Sequence, residues 1–163
     1  MPFSLGARSR AQLDAVHPAL RQAVQRAIGL TTQDFAVWQG LRTAAEQKQN
    51  VATGVSRTSN SLHLLQADGY AHAVDLVPWV DGKPLWDWPR IYPIAVAMRT
   101  AAADLSTVLR WGGVWDRKLH ELDPTKLAAE VKAYTVRHAG SDLLDGPHFE
   151  IARVVPVPAV LKA

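Results

Sequence analysis

Three residues of this 163-residue chain have the types and surroundings that could hold an ion between them: His63, Asp75 and His148. His63 lies in a polar stretch just ahead of the apolar run AHAVDLVPWV, Asp75 lies inside that run, and His148 opens a last apolar segment behind Asp145-Gly146-Pro147. An acid in the middle of AVDLV is costly if it is buried without a partner. A metal ion is one partner that offsets the cost, and a buried cation such as Arg42 is another. The chain contains no cysteine, so disulfides and thiolate sites are excluded and any metal must be held by His, Asp or Glu. Two imidazoles and one carboxylate leave the fourth position of a tetrahedral zinc ion open to water, the coordination of a catalytic rather than a structural site. A free carboxylate nearby can accept a proton from that water and return it to a leaving amine. Asp145, on a turn three residues before His148, is the candidate for that base.

The other titratable and aromatic residues compete less well. His72 is only three residues from Asp75, but side chains alternate along a strand, so the two should point to opposite faces. Glu150 shares a strand face with His148 and is either a partner for an imidazole or a solvent-facing strand residue. His17, His120 and His138 read as surface or capping groups. Trp111 and Trp115, either side of Gly112-Gly113, are expected in the core or along a substrate groove.

These residues need elements to carry them. Ser9 followed by Gln12 resembles a capping box, and beyond His17-Pro18 the spacing of Leu20, Val24, Ala27 and Ile28 predicts a helix ending at Gly29. Residues 1–30 are thus a helical segment expected to pack on one face of a single domain spanning 1–163. Asp34–Leu41 is rich in strand formers, and Thr43 with Glu46 opens a helix to about Thr53. Val55–Gly69 reads as a long loop, which inside a compact domain is often functional. Ala71–Val80 is a second strand closed by Asp81-Gly82 and followed by a Trp-rich connection through Trp86 and Trp88. A helix over Arg90–Leu105, a strand over Thr107–Trp111, a helix from Pro124 to His138 and a strand over HFEIARVV complete the chain. The order lacks the regular spacing of a doubly wound sheet, so the expected class is α+β, a small, mainly antiparallel sheet flanked by helices.

Apolar residues at 48% and charged residues at 20% fit a globular chain that builds its own core. The net charge of +3 is spread along the sequence, with no basic run interleaved with aromatics, so nucleic acid is not an expected partner. No stretch approaches the roughly 20 apolar residues of a membrane span, so no membrane anchor is expected.

The segments Ser61-Leu62-His63, Gly69, Ala73-Val74-Asp75 and Asp145-Gly146-Pro147-His148 resemble the Ser-x-His, Gly-x-Ala-x-Asp and acid-x-x-His motifs of the D-alanyl-D-alanine carboxypeptidase and dipeptidase group. That group shares its fold with the Hedgehog signalling domain and includes phage endolysins that are L-alanyl-D-glutamate peptidases. RSRAQLDAVHPALRQAVQRAI is similar to the endolysin branch, and the likeness continues through Gly40-Leu41-Arg42-Thr43, Gln47 and Trp111-Gly112-Gly113-x-Trp115. It implies zinc held by His63, Asp75 and His148, Asp145 as the base, and Arg42 as a stabiliser of the carbonyl oxygen or a substrate carboxylate. One departure stands out: His63 and Asp75 are twelve positions apart where the family usually has seven, so LLQADGYA contains an insertion and His72 stays open as a ligand. The implied activity is a peptidoglycan endopeptidase cutting the L-Ala to D-Glu bond. A D-Ala-D-Ala carboxypeptidase and a non-catalytic cell-wall binding module are the alternatives. MPFSLGARSR has no apolar stretch after a basic patch, so the expectation is a monomer made in the host cytoplasm without a signal peptide and acting on the wall after release.

Overall fold

The computed structural model describes residues 2–140 and 143–152. Within these residues, five helices and six strands follow in the order α1 (Ala7–Gln12), α2 (Pro18–Leu30), β1 (Phe35–Gln39), α3 (Ala44–Ala52), β2 (Ala73–Val80), β3 (Lys83–Pro84), α4 (Trp88–Asp104), β4 (Leu109–Trp111), β5 (Val114–Lys118), α5 (Leu127–Arg137) and β6 (His148–Ile151), with a 3-10 turn at Leu119–Glu121. The strands pair antiparallel in the order β1-β2-β6-β4-β5, and β3 folds back on β2. The class is therefore α+β, as the sequence suggests.

Alternation along the strands divides the sheet into two faces. Phe35 and Val37 of β1, Val74 and Leu76 of β2, Leu109 and Trp111 of β4, and Phe149 of β6 all enter one hydrophobic core. α4 packs on β2 and β4, and α2 packs on α4. Leu20, Val24, Ala27 and Ile28 supply the buried stripe of α2. The residues between the core positions, among them Asp75, Arg110, His148 and Glu150, line an open cleft of about 800 Å³ on the other face. Sequence periodicity thus becomes a division of labour: one face holds the fold together and the other carries the polar groups.

Local signals explain most boundaries. Thr43 and Glu46 form a complete capping box at the start of α3, with Glu46 accepting from the Thr43 backbone N–H at 2.7 Å. Asp87 caps α4 by accepting from the Arg90 N–H at 3.0 Å. Three expectations need correction. Ser9 is not an N-cap: it lies inside α1, and its hydroxyl accepts from the Val37 N–H at 3.1 Å, tying α1 to β1. Pro124 precedes α5 rather than opening it, because Asp123 and Thr125 form a side-chain turn ahead of the helix. β5 is a strand the composition of VWDRK did not announce; its pairing with β4 across Gly112-Gly113 makes it one. Residues 153–155, the end of the expected last strand, lie outside the described residues.

Candidate metal centre

Antiparallel register brings two of the three residues together: Asp75 of β2 and His148 of β6 are direct cross-strand partners. His63 reaches them from the long loop after α3. A turn in which its N–H donates to the Ser61 hydroxyl at 3.2 Å sets its backbone, and the loop is clamped by the Arg42 N–H donating to the His63 carbonyl at 2.9 Å and the His72 N–H donating to the Leu62 carbonyl at 2.7 Å.

Hydrogen bonds decide which imidazole nitrogens face the centre. The carbonyl of Gly40 can only accept, so the 2.7 Å contact from His63 Nδ1 places the proton on Nδ1 and leaves the Nε2 lone pair free. His148 is oriented the opposite way. Its Nε2 donates to the Glu150 carboxylate at 2.9 Å, which turns Nδ1 inward. His63 Nε2 and His148 Nδ1 then stand 3.2 Å apart, and Asp75 Oδ1 is 3.2 Å from the first and 3.3 Å from the second. Ligand atoms around a tetrahedral zinc with bonds of about 2.0–2.1 Å lie about 3.3 Å apart. The three donors therefore have the spacing and the chemistry to hold such an ion, and each imidazole has the outer hydrogen-bond partner that metal-binding histidines ordinarily have.

The same electron-rich triangle shapes the titration of its members. Burial alone would lower the pKa of His148, but its bonds to Asp75 and Glu150 and their charges push it up to about 10. Burial would raise Asp75, yet the neighbouring imidazoles hold its carboxyl well below the usual carboxylate range. The Asp75 Oδ2 atom is also 3.6 Å from Arg42 Nη2, so one oxygen of Asp75 faces the two imidazoles and the other faces a guanidinium. Arg42 is itself held by Gln39 Oε1, 3.0 Å from its Nε and 2.6 Å from its Nη2, and by Gln47 Oε1, 2.7 Å from its Nη1. Three hydrogen bonds from a guanidinium with five N–H groups leave donor capacity toward the cleft that Arg42 lines.

Asp145 lines the same cleft without joining the triangle. Its backbone N–H donates to the Gly112 carbonyl at 2.9 Å and its carbonyl accepts from the His148 N–H at 3.1 Å. Burial first, and then the charge of Asp75, raise its carboxyl above the ordinary range, the condition of a group suited to taking a proton. Two glycines make this arrangement possible. A Cβ on Gly112 would lie 2.2 Å from the Asp145 carbonyl oxygen, and one on Gly40 would lie 2.0 Å from the Gln12 carbonyl oxygen. Only a residue without a side chain lets Asp145 approach β4 and lets the Gly40 carbonyl reach His63.

His72 does not join the centre. Its Nε2 bonds to Asp68 at 2.7 Å, in a second, more exposed group with His17. Glu150 is buried rather than solvent-facing, and Arg110, its cross-strand partner on β4, donates to it from Nε at 2.7 Å and also from Nη2. Spacing from His148 points to Glu150 in the sequence, whereas nothing local points to Arg110, whose role comes from register alone. Trp111 is a core residue, stacked on Phe149 and donating to the Gly146 carbonyl at 2.6 Å. Trp115 instead borders the cleft, its ring 5.2 Å from that of His148. His17 caps α2, accepting from the Ala19 N–H at 3.2 Å. Asp142, the other aspartate shortly before His148 in the sequence, lies outside the described residues.

An α+β sheet that sets a carboxylate and an imidazole side by side on two middle strands, with a second imidazole brought to them by a loop, offers the kind of donor set that hydrolases use to hold a metal. Residues 1–152 match the model of the phage L-alanyl-D-glutamate peptidase family, and the chain belongs to that family. It is 34% identical over 120 residues to the L-alanyl-D-glutamate peptidase of Escherichia phage T5, covering 71% of this chain and 84% of the relative. The crystal structure of the L-Ala D-Glu endopeptidase ChiX of Serratia marcescens superposes with a TM-score of 0.66 at 32% identity, covering 90% of this chain and 87% of that one.

Proposed function

We propose that this chain is a zinc-dependent peptidoglycan endopeptidase that hydrolyses the bond between L-Ala and D-Glu of the stem peptide. The observation that carries the reading is the triangle of His63 Nε2, His148 Nδ1 and Asp75 Oδ1, with sides of 3.2, 3.2 and 3.3 Å, at the floor of an open cleft. The scissile bond comes from the family and its named relatives. Zinc suits the nitrogen-rich donor set, in which both imidazoles turn a nitrogen inward that a metal can take by displacing any proton on it. When bound there it supplies Lewis acidity to the scissile carbonyl and to the attacking water.

The protein's own groups do the rest. Asp145 accepts the proton of the attacking water and returns it to the departing amine of D-Glu, a role for which its raised proton affinity suits it. Arg42, fixed by Gln39 and Gln47, directs its remaining N–H groups at the developing negative charge of the carbonyl oxygen or at a substrate carboxylate. Glu150 keeps the His148 ring in the orientation that turns Nδ1 inward.

The working unit is a single domain over residues 1–163, with residues 1–30 packed on it, acting as a monomer on the bacterial wall after release from the host cytoplasm. No helix among the described residues is long and apolar enough to cross a membrane. Digestion of purified peptidoglycan, with mass spectrometry of the soluble fragments and elemental analysis of the protein, tests the reading. New N-terminal D-Glu and about one zinc per chain are expected. Free D-Ala as the main product would instead make this a carboxypeptidase, and intact stem peptides would leave a binding module.

A further inference from the structure

The cleft runs across the sheet, and strand order fixes what lies along it. From β1 through β2, β6 and β4 to β5 it meets Trp38, Asp75, His148, Arg110 and Trp115 in turn. The metal triangle is in the middle, with tryptophan at both ends, and the two ends differ. Trp115 is engaged: its indole N–H donates to the Leu143 carbonyl at 2.8 Å, and the Arg110 guanidinium lies 5.5 Å over its ring. At the β1 end, Trp38 and Trp86 are exposed, by 38% and 56%, although both are large apolar side chains. Their rings meet at 82° with centroids 5.5 Å apart, forming a corner with two perpendicular apolar walls.

The chain is built to keep that corner open. Pairing of β1 with β2 shifts register between Val37 and Gln39, so Trp38 is the extra residue of a β-bulge while Gln39 stands opposite Asp75. Bulges redirect a side chain beside a functional site. Trp38 is steadied by the Arg8 guanidinium 5.4 Å over its ring, and Trp86 projects from the connection between β3 and α4. An exposed aromatic pair continuous with an active-site cleft points to a ligand that covers it.

The substrate chemistry supplies that ligand. In peptidoglycan the amine of the stem L-Ala is acylated by the lactyl group of a muramyl sugar, so a pyranose ring lies one residue from the bond to be cut. Such a ring has an apolar C–H face and a hydroxylated edge, which suits a flat indole wall open to water on one side. We propose that Trp86 and Trp38 form a carbohydrate subsite that seats the muramyl sugar, and that the enzyme thereby prefers glycan-attached stem peptides to sugar-free ones. This rests on the reading of the chain as an L-Ala–D-Glu peptidase.

The test compares kcat/KM on two soluble substrates that share the scissile bond: GlcNAc-MurNAc-L-Ala-γ-D-Glu-diaminopimelate and its sugar-free counterpart, lactoyl-L-Ala-γ-D-Glu-diaminopimelate. The wild-type protein should favour the first by about tenfold, the scale of one well-packed aromatic contact. Trp86→Ala and Trp38→Ala should bring that ratio toward one, Trp86→Tyr should restore much of it, and Trp115→Ala should leave the ratio unchanged. A wild-type ratio near one overturns the proposal, as do tryptophan variants that lower both substrates equally, since that is the mark of a structural role. Failure to cut either substrate between L-Ala and D-Glu would overturn the underlying reading of the bond, an outcome distinct from an unchanged ratio.

Discussion

Among the described residues stand two groups of the same composition, two histidines and one aspartate, and they differ in what their nitrogens are doing. In His63–Asp75–His148, the Gly40 carbonyl and the Glu150 carboxylate take the outward N–H of each ring, so the second nitrogen of each ring turns inward, where a metal would displace any proton it carries. In His17–Asp68–His72, the His17 Nδ1 lone pair is already used to cap α2, which puts the proton of the neutral ring on Nε2, the atom facing Asp68 at 3.8 Å. His72 bonds to the same carboxylate oxygen at 2.7 Å. That hydrogen bond is the main reason the Asp68 carboxyl lies below its ordinary range. In the second group one short hydrogen bond from His72 already satisfies Asp68, whereas in the first two inward nitrogens and a carboxylate crowd within 3.3 Å, an arrangement that needs a proton or a metal cation between them. The lesson is that residue type and proximity nominate a metal site, while outer hydrogen bonds and burial select it.

The sharpest way to break this comparison is to remove one imidazole from each group. His63→Ala or His148→Ala should empty the centre of zinc and abolish wall lysis, a loss of about 10⁴-fold or more if the metal carries the reaction. His17→Ala and His72→Ala should keep the metal. Elemental analysis beside a lysis assay reads both, and zinc lost from His72→Ala but retained in His63→Ala would reverse the roles.

Asp145→Asn separates chemistry from metal binding. It should retain zinc and lose about 10²–10⁴-fold in turnover, and near wild-type turnover would show that another group is the base. Because folding raises the Asp145 pKa, the carboxyl stabilises the fold in its protonated form, and that contribution is lost as pH rises through the folded value. An amide has no such loss. The chelated Asn variant should therefore melt higher than chelated wild type at neutral pH, with the gap closing in acid.

A smaller effect is expected where the base is only displaced. A methyl group on Gly112 meets the Asp145 carbonyl oxygen at 2.2 Å, so Gly112→Ala should shift that turn and cost about 10²-fold in turnover with zinc retained. Unaltered kinetics would show that the close approach is dispensable. Glu150→Gln keeps the size of the outer partner of His148 and removes its charge, so zinc affinity should fall about 10–100-fold, read by competition with a chromogenic chelator. The matching change in the second group, Asp68→Asn, should leave affinity unchanged, and a comparable drop there would erase the distinction between the two groups.

Legibility in the sequence followed how local the cause was. Asp75 announced itself because an acid inside AVDLV is anomalous within one strand, and α3 because Thr43 and Glu46 carry its capping box within one turn. β5 was illegible because VWDRK has little strand character, and its partner β4 makes it a strand. Ser9 misled for the reverse reason: a residue that matches a local capping pattern spends its hydroxyl on β1, 28 positions away.

The sequence by itself determined the α+β class, the absence of thiolate chemistry and the identities of His63, Asp75, His148, Arg42 and Asp145 as residues worth placing, since each follows from side-chain type, short-range periodicity or motif. Only the tertiary structure decided the rest. Pairing of β2 with β6 set Asp75 opposite His148, Gly40 and Glu150 chose which nitrogen each imidazole turns inward, and Asp68 drew His72 into a different group. Register and tautomer are properties of partners far apart in the chain, and local patterns of side-chain type carry almost no information about which partners will meet.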